Sequence, residues 1–182
     1  MSLDKIDLFE SFGLLNIKEA LSSYKNKFLE IQQNELKDLS KNYSKLKIFM
    51  NIKNFETVSP CLTIPLSLSL RSIMTKARLG CLPLRIETGR YCRPILPEVD
   101  RICLLCDNFD KNVECIYHFI FCCDKYKFER IIFFNNLSLP ENFSILSKDK
   151  KLYEVHSNPI NIKATAKFVS LCYDKSSKLV KY

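Results

Sequence analysis

Residues 101–123 read RICLLCDNFDKNVECIYHFIFCC and place one of the two histidines of the chain among five of its nine cysteines. Cys103 and Cys106 enclose two leucines, which is the short loop from which two thiolates reach one metal ion. His118 follows in an apolar segment that is typical of a short helix, and Cys122 and Cys123 come directly after it. Three thiolates and one imidazole form a closed tetrahedral donor set, so the stretch predicts a structural zinc site.

The fourth ligand has two candidates. In an uninterrupted α-helix, residues four apart share a face and residues five apart diverge, which favours Cys122 as the partner of His118. A helix that ends before Asp124 favours Cys123 instead, and the following segment KYKFERIIFF is typical of a new helix. The residues alone leave both candidates open.

Other interpretations of the same residues are less favoured. A lone CxxC can be a redox pair, but no strand-rich context of the thioredoxin kind precedes this one. His118 can also be a core histidine, although thiols flank it at metal-ligand spacing. Cys115 fits a small buried hydrophobic residue.

Composition predicts a mainly α fold, a small helical domain with a zinc-stapled CxxC loop and few or no strands. The chain has 182 residues, 47% of them hydrophobic, and only three glycines and seven prolines for hairpin turns. Apolar residues recur at helical spacing, for example Leu14, Ile17, Leu21, Tyr24, Phe28 and Ile31. This stripe is typical of a helix that packs on a core.

The pattern predicts three segments. Residues 1–43 form an N-terminal helical segment, 44–135 an arginine-rich and zinc-binding domain, and 136–182 a C-terminal helical segment. No run of about 18 apolar residues and no signal peptide are visible, so we expect no membrane partner and a location in the nucleus or cytoplasm. In that reducing environment an odd number of cysteines indicates free thiols and metal ligands rather than disulfides.

The net charge is +8, which favours polyanionic partners such as RNA, DNA or an acidic membrane surface. Six of the seven arginines lie in residues 71–101, whereas the 21 lysines are spread along the chain. Guanidinium groups bind phosphate in a bidentate way that lysine reproduces poorly, so this arginine window predicts nucleic-acid contact. A solvated face paired with Glu87, Glu98 and Asp100 is the alternative.

Three of these arginines are the predicted phosphate contacts. Arg71 and Arg78 share a face of one predicted helix two turns apart, which allows both to touch one nucleic-acid backbone. Arg90 follows Gly89, where the missing side chain permits close approach of a partner or an unusual turn.

Several short motifs, in order, resemble the cysteine-rich tail of non-LTR retrotransposon reverse transcriptases. They are SKLKIFMNIK (44–53), LRSIMTKARLGCLPLRIETGRY (70–91), RICLLC (101–106) and YHFIFCCDKYKFER (117–130). The resemblance implies zinc as the cofactor, Cys103, Cys106, His118 and Cys123 as its ligands, and a polymerase domain outside this chain as a partner. It also aligns Arg78, Ile86, Glu87, Gly89, Arg90 and Tyr91 with motif positions of the family.

The chain departs from the family pattern at two positions. Leu82 stands where relatives often have histidine, and Asp124 where they often have proline. No paired aspartates of a polymerase palm and no nuclease carboxylate cluster occur in the sequence, so we expect no catalysis by this chain. The expected function is a zinc-stabilised tail that contacts template RNA or target DNA. The alternative is a zinc-ordered protein-interaction module with no nucleic-acid role.

Overall fold

The computed structural model of the chain describes residues 17–42, 49–50, 59–106 and 112–179. The chain divides into two compact units, Met1–Leu39 and Ser40–Tyr182. The first unit contains most of helix α1, Ile17–Asn42. The predicted apolar stripe of this helix is exposed, since Leu21, Tyr24, Phe28 and Ile31 are between 49% and 65% accessible to solvent. The expectation that the stripe packs on a core was wrong for these four side chains, and Leu14 lies outside the described residues.

The second unit is a set of short helices joined by irregular segments. Its α-helices are α2 Pro60–Thr63, α3 Leu68–Arg78, α4 Arg85–Thr88, α5 Lys127–Asn135, α6 Lys148–His156 and α7 Pro159–Leu179. Shorter turns occur at Glu98–Asp100, Asp124–Tyr126 and Phe143–Ile145, which are 3-10 helical, and at His118–Cys122, which is π-helical. Within the described ranges, extended pairing is limited to one isolated antiparallel bridge between Ile102 and Val113.

Helix α7 is the central element of this unit, because α2, α3, α5 and α6 all pack against it. Its buried residues recur at helical spacing and include Ile162, Ala166 and Val169. Phe168 on α7 stacks on Phe133 of α5 with ring centroids 4.4 Å apart. Burial of such apolar area contributes about 25 cal/mol per Å². Leu82, Leu84 and Cys103 from the segment after α3 belong to the same hydrophobic cluster as Phe168 and Val169 of α7.

Helix α3 is buried on a wide face that joins both hydrophobic clusters of the unit. Ile73 and Ala77 belong to the larger cluster around Phe119 and Phe168, whereas Met74 belongs to a smaller one with Cys61 and Leu66. Ser67 caps the helix, its hydroxyl accepting from the Leu70 amide. The helix ends at Arg78, and Gly80 two residues later has a φ of 64°, a left-handed conformation suited to glycine.

A buried polar network joins α6 and α7. Asn161 accepts a hydrogen bond from the Ser138 amide and donates to the carbonyls of Ser138 and Glu154. Thr165 donates to the Val155 carbonyl at 2.6 Å. Buried polar groups require partners of this kind, so the network fixes the angle between α6 and α7.

The predicted fold class is confirmed: the second unit and α1 are helical, and the described residues contain no strand. None of the helices in the described ranges is both long enough and apolar enough to cross a lipid bilayer. Elements from both sides of the boundary predicted at residue 136 lie in the second unit, where α5 packs against α7. The division of the chain into three segments stays a prediction.

Candidate metal centre

The four predicted ligand side chains lie together. The donor atoms of Cys103, Cys106, His118 and Cys123 are all within 4.8 Å of one another. Cys106 Sγ lies 3.2 Å from His118 Nε2 and 3.3 Å from Cys123 Sγ, and Cys103 Sγ lies 3.9 Å from Cys123 Sγ. With metal–sulfur bonds of about 2.3 Å, sulfur atoms in a regular tetrahedron are about 3.8 Å apart. The cluster therefore has the donor types and separations that can hold one tetrahedral ion.

Two separate parts of the chain supply these donors. Cys103 and Cys106 come from the loop after the Glu98–Asp100 turn, and the Cys103 amide donates to the Asn112 carbonyl at 3.0 Å. His118 and Cys123 come from the π-helical turn and the residue that follows it. Three of the four side chains are buried and Cys106 is partly exposed. A metal ion at this position would cross-link the loop to the turn.

The π-helical turn decides between the two adjacent cysteines. The Cys123 amide donates to the His118 carbonyl at 2.8 Å, a hydrogen bond between residues five apart. Such a turn is wider than an α-helical one and brings residues five apart towards the same side. Cys123 is 1% exposed and faces the cluster, whereas Cys122 is exposed to solvent. The geometry agrees with Cys123, and the argument from uninterrupted α-helical spacing does not apply here.

Proton sharing among the thiols indicates a site suited to a cation. A hydrogen bond from Cys123 lowers the pKa of Cys103 to about 3, and the same interaction raises the pKa of Cys123. Burial raises the pKa of Cys106. A metal ion binds thiolates and not thiols, so metal binding at this cluster would release protons from the cysteines.

Glu114 lies beside the cluster and connects it to α4. Its Oε1 is 3.8 Å from Cys103 Sγ, and its Oε2 accepts from the Arg85 amide at 2.7 Å. Its backbone exchanges further hydrogen bonds with Ile86 and Arg101. Burial raises the pKa of the Glu114 carboxyl to about 7, and the Arg85 amide opposes this shift. Sequence reasoning missed Glu114, although an acid inside the apolar segment VECIYHFIFCC was a visible signal.

Arg101 holds the segment between α4 and the metal cluster in a closed loop. Its guanidinium donates to the Ile86 carbonyl at 2.9 Å and twice to the Leu96 carbonyl, at 3.0 and 2.8 Å. Gly89 makes this possible, because a Cβ there would lie 2.7 Å from Arg101 Cγ and 2.8 Å from the Arg85 carbonyl oxygen. The glycine is required for close approach of a side chain from the same protein.

Arg130 has the same role at the π-helical turn. From α5 it donates to the carbonyls of Ile120, at 2.8 Å, and Cys123. These carbonyls lie where regular helical hydrogen bonding stops, so they need other donors. Arg130 thereby fixes the backbone that carries His118 and Cys123.

The three predicted phosphate contacts have different environments. Arg78 is 4% exposed and donates to the His156 carbonyl at 2.6 Å, and its burial lowers its pKa. Arg71 donates to the Leu62 carbonyl at 3.3 Å. Arg90 donates to the Ile86 carbonyl at 3.4 Å and its Nε lies 3.6 Å from Glu87 Oε2. A guanidinium placed like that of Arg78 is not accessible to a phosphate in this fold, whereas Arg71 and Arg90 remain partly exposed.

Comparison of the chain with sequence models of known protein families, with curated proteins and with solved structures finds no match.

Proposed function

We propose that the chain is a non-catalytic, zinc-stabilised nucleic-acid-binding module, equivalent to the cysteine-rich tail of a non-LTR retroelement reverse transcriptase. The convergence of the Cys103, Cys106, His118 and Cys123 donor atoms within 4.8 Å is the observation that carries the proposal. Soft thiolates with one imidazole favour zinc over magnesium or calcium, which prefer oxygen ligands. A set of four protein ligands leaves no open position for a catalytic water, so the ion has a structural role.

Zinc, when bound, supplies a cross-link between the CxxC loop and the π-helical turn. Three side chains near the cluster then connect the cross-linked loop and turn to neighbouring elements. Glu114 connects the cluster to α4 through the Arg85 amide, and Arg130 connects the turn to α5 through two carbonyls. Arg101 closes the segment that follows α4. The metal and these three side chains together order a region that has little regular secondary structure.

The resemblance to the retroelement tail is supported by what its motif residues do. Arg101 and Gly89 belong to two different motifs. The Arg101 side chain packs so closely against residue 89 that only glycine fits there. Arg130, at the end of the last motif, binds the backbone of the turn that carries two metal ligands. Motif residues that depend on one another in this way are expected of one structural unit.

The net charge of +8 supports a nucleic-acid partner, which we propose to be template RNA or target DNA, in the nucleus or cytoplasm. The partly exposed Arg71 and Arg90 are the contacts retained from the arginine window. Arg78 has a structural role in this proposal. A polymerase domain on a separate chain or a longer form of this chain would supply the catalytic activity.

Metal analysis combined with nucleic-acid titration tests the proposal. The purified chain should contain one zinc ion, and Cys103→Ser with His118→Ala should remove it. The parent should bind single-stranded and duplex RNA and DNA with an affinity that falls as salt rises. Arg71→Ala and Arg90→Ala should each weaken binding, and Lys25→Ala on α1 serves as the control for loss of one exposed charge. A zinc-loaded chain that binds neither RNA nor DNA would contradict the proposal.

A protein-interaction module is the second candidate, and two observations favour it. Arg90 lies close to Glu87, as expected of an arginine with a structural role. Between α5 and α7 runs an open groove lined by Ile132, Ile160 and Leu171, which are 65%, 71% and 50% exposed. Exposed apolar surfaces of this kind are typical of protein contacts. Zinc content without nucleic-acid affinity is the result that would favour this candidate.

A further inference from the structure

A row of three aromatic rings lies on the outer side of the π-helical turn. Tyr117 and Phe121 have ring centroids 4.9 Å apart, and Phe121 lies 6.2 Å from Phe143. Phe134 supports the row from α5, at 6.2 Å from Phe121 and 6.3 Å from Phe143. All four side chains are only partly buried, so the row presents aromatic surface to solvent.

Lysines lie over both ends of this row. Lys148 Nζ is 5.2 Å from the centroid of the Tyr117 ring, and Lys151 Nζ is 5.9 Å from that of Phe143. Both come from the first turn of α6, and Lys151 also donates to the Ser144 carbonyl at 2.7 Å. Lys148 is exposed and Lys151 is partly exposed. The arrangement places ammonium groups beside ring faces, within the range of a cation–π contact.

Further positive charge surrounds the same turn. Arg130 lies at the turn, where its guanidinium donates to the carbonyls of Ile120 and Cys123. Residues 147–151, at the start of α6, read SKDKK, which has three lysines and one aspartate. The surface is therefore both aromatic and cationic.

We infer that this aromatic–lysine row, consisting of Tyr117, Phe121, Phe143, Lys148 and Lys151, is a binding surface for single-stranded nucleic acid. Aromatic side chains stack on bases, and nearby cations bind the phosphates that join them. A duplex hides its base faces, so the row should prefer single strands. The inference rests on the proposed nucleic-acid function and assigns it to a surface outside the arginine window.

The row is also tied to the metal centre. Tyr117 directly precedes His118, the first residue of the π-helical turn, and Phe121 lies within the turn, whose backbone Arg130 holds in place. A metal ion at the cluster would thus fix two of the three rings. An amphipathic peptide is the other partner that an aromatic surface can accept, but it would not require lysines at both ends of the row.

Variants of matched charge test the inference. Lys148→Ala with Lys151→Ala removes two charges from the row, and Lys163→Ala with Lys167→Ala removes two exposed charges from α7. Titration of an oligouridine or oligothymidine of about 12 nucleotides, a length within the range of one binding site, supplies the affinity. We expect the first pair to weaken binding about tenfold and to lower the salt slope by about 0.7 for each lost contact, and the second pair to have little effect.

Tyr117→Leu separates stacking from charge. Leucine keeps the apolar contact with Phe121 but removes the ring, so affinity should fall about fivefold or more while the salt slope stays unchanged. Zinc content and thermal unfolding of each variant show whether the fold is retained. Equal binding by the two lysine pairs, or full affinity of Tyr117→Leu, would overturn the inference while leaving the proposed function intact. A parent chain that binds no nucleic acid would overturn both.

Discussion

The π-helical turn and helix α3 both carry polar side chains into the interior, but these side chains have different kinds of partner. The turn gathers His118 and Cys123 with two further cysteines around one point, where the thiols compete for protons. Helix α3 buries a single guanidinium, that of Arg78, against the His156 carbonyl. Convergent thiol and imidazole donors can hold a metal ion from outside the chain, whereas the isolated Arg78 guanidinium has its partner in the backbone.

The same contrast explains the arginine window. Four of the six arginines in the window donate to backbone carbonyls of their own chain, and they are Arg71, Arg78, Arg90 and Arg101. Arg130, outside the window, does the same. Arg90 and Arg101 bind carbonyls of the segment between α3 and the metal cluster, whereas Arg71 binds a carbonyl of α2 and Arg78 one of α6. Arginine supplies five donors in a planar fork, and Arg101 uses this fork to bind two carbonyls at once. Four arginines of the window thus have contacts within the fold.

Replacement of the metal ligand on the turn should have the largest effect. Cys123→Ser should release the metal and unfold residues 101–106 and 112–126, because structural zinc contributes on the order of 10 kcal/mol in small finger peptides. Cys122→Ser is the matched control and should retain the metal, since that side chain is exposed. Metal content and hydrogen exchange measure the difference. Metal loss in the Cys122 variant alone would reverse the assignment.

Replacement of the buried guanidinium should have the next largest effect. Arg78→Met keeps the aliphatic stem but leaves the His156 carbonyl without this donor, which we expect to cost about 3 kcal/mol of unfolding free energy. Arg71→Met removes a more exposed group with one 3.3 Å hydrogen bond and should cost less than about 1 kcal/mol. Urea denaturation of the zinc-loaded proteins gives both values. Equal losses would show that the two arginines do not differ as their burial indicates.

Gly89→Ala should destabilise the chain by about 2 kcal/mol, because the new Cβ meets Arg101 Cγ at 2.7 Å and a backbone oxygen at 2.8 Å. Gly80→Ala is a useful comparison, since its φ of 64° makes alanine costly by about 1 kcal/mol for a conformational reason. Thermal unfolding distinguishes them in a background that carries Arg101→Ala. Alanine lacks the Cγ and Cδ atoms that the new Cβ meets, so Gly89→Ala should cost less in that background than in the parent, while the cost of Gly80→Ala should stay unchanged. An equal cost of Gly89→Ala in both backgrounds would show that the contact with Arg101 is not the cause.

The smallest expected effect is a pH dependence from His156. Burial lowers the pKa of this histidine to about 4, and the nearby Arg78 adds to the shift. Between that value and about 6.5 the unfolded chain binds more protons, so stability falls as pH decreases. We expect His156 to contribute a loss of about 1 kcal/mol between pH 7 and 5.5, and Glu114, whose pKa is raised to about 7, to contribute in the opposite direction over the same range. Urea denaturation therefore compares the parent with His156→Gln, which should lose less stability, or gain more, as pH falls. An equal pH dependence of the two proteins would show that His156 does not contribute.

Helical spacing predicted the helices better than it predicted their buried faces. The predicted helix that carries Arg71 and Arg78 on one face is α3. That face was expected to be exposed to a nucleic acid, yet Arg78 is buried because α3 contributes side chains to both hydrophobic clusters. Helical periodicity shows which side chains lie on the same face of a helix, but not how much of the helix surface other elements bury.

The metal cluster could be anticipated because four residues of unusual type share one chemical requirement. The residues that support it could not, since Arg101, Arg130 and Glu114 act through backbone groups whose positions depend on the fold. Spacing alone left Cys122 and Cys123 both open for a related reason. The case for Cys122 assumed an uninterrupted α-helix, and the local hydrogen bond from Cys123 to His118 belongs to a wider turn.

That wider turn also bears on how such centres are recognised in other sequences. A π-helical turn is an α-helical turn with one additional residue. Removal of Cys122 would allow an α-helical turn in which the remaining cysteine follows His118 by four positions and still faces the cluster. A metal ion requires that the cysteine and His118 face the same side of the turn, whatever the number of residues between them. Search patterns for related metal centres should therefore accept both a three-residue and a four-residue spacer between histidine and cysteine.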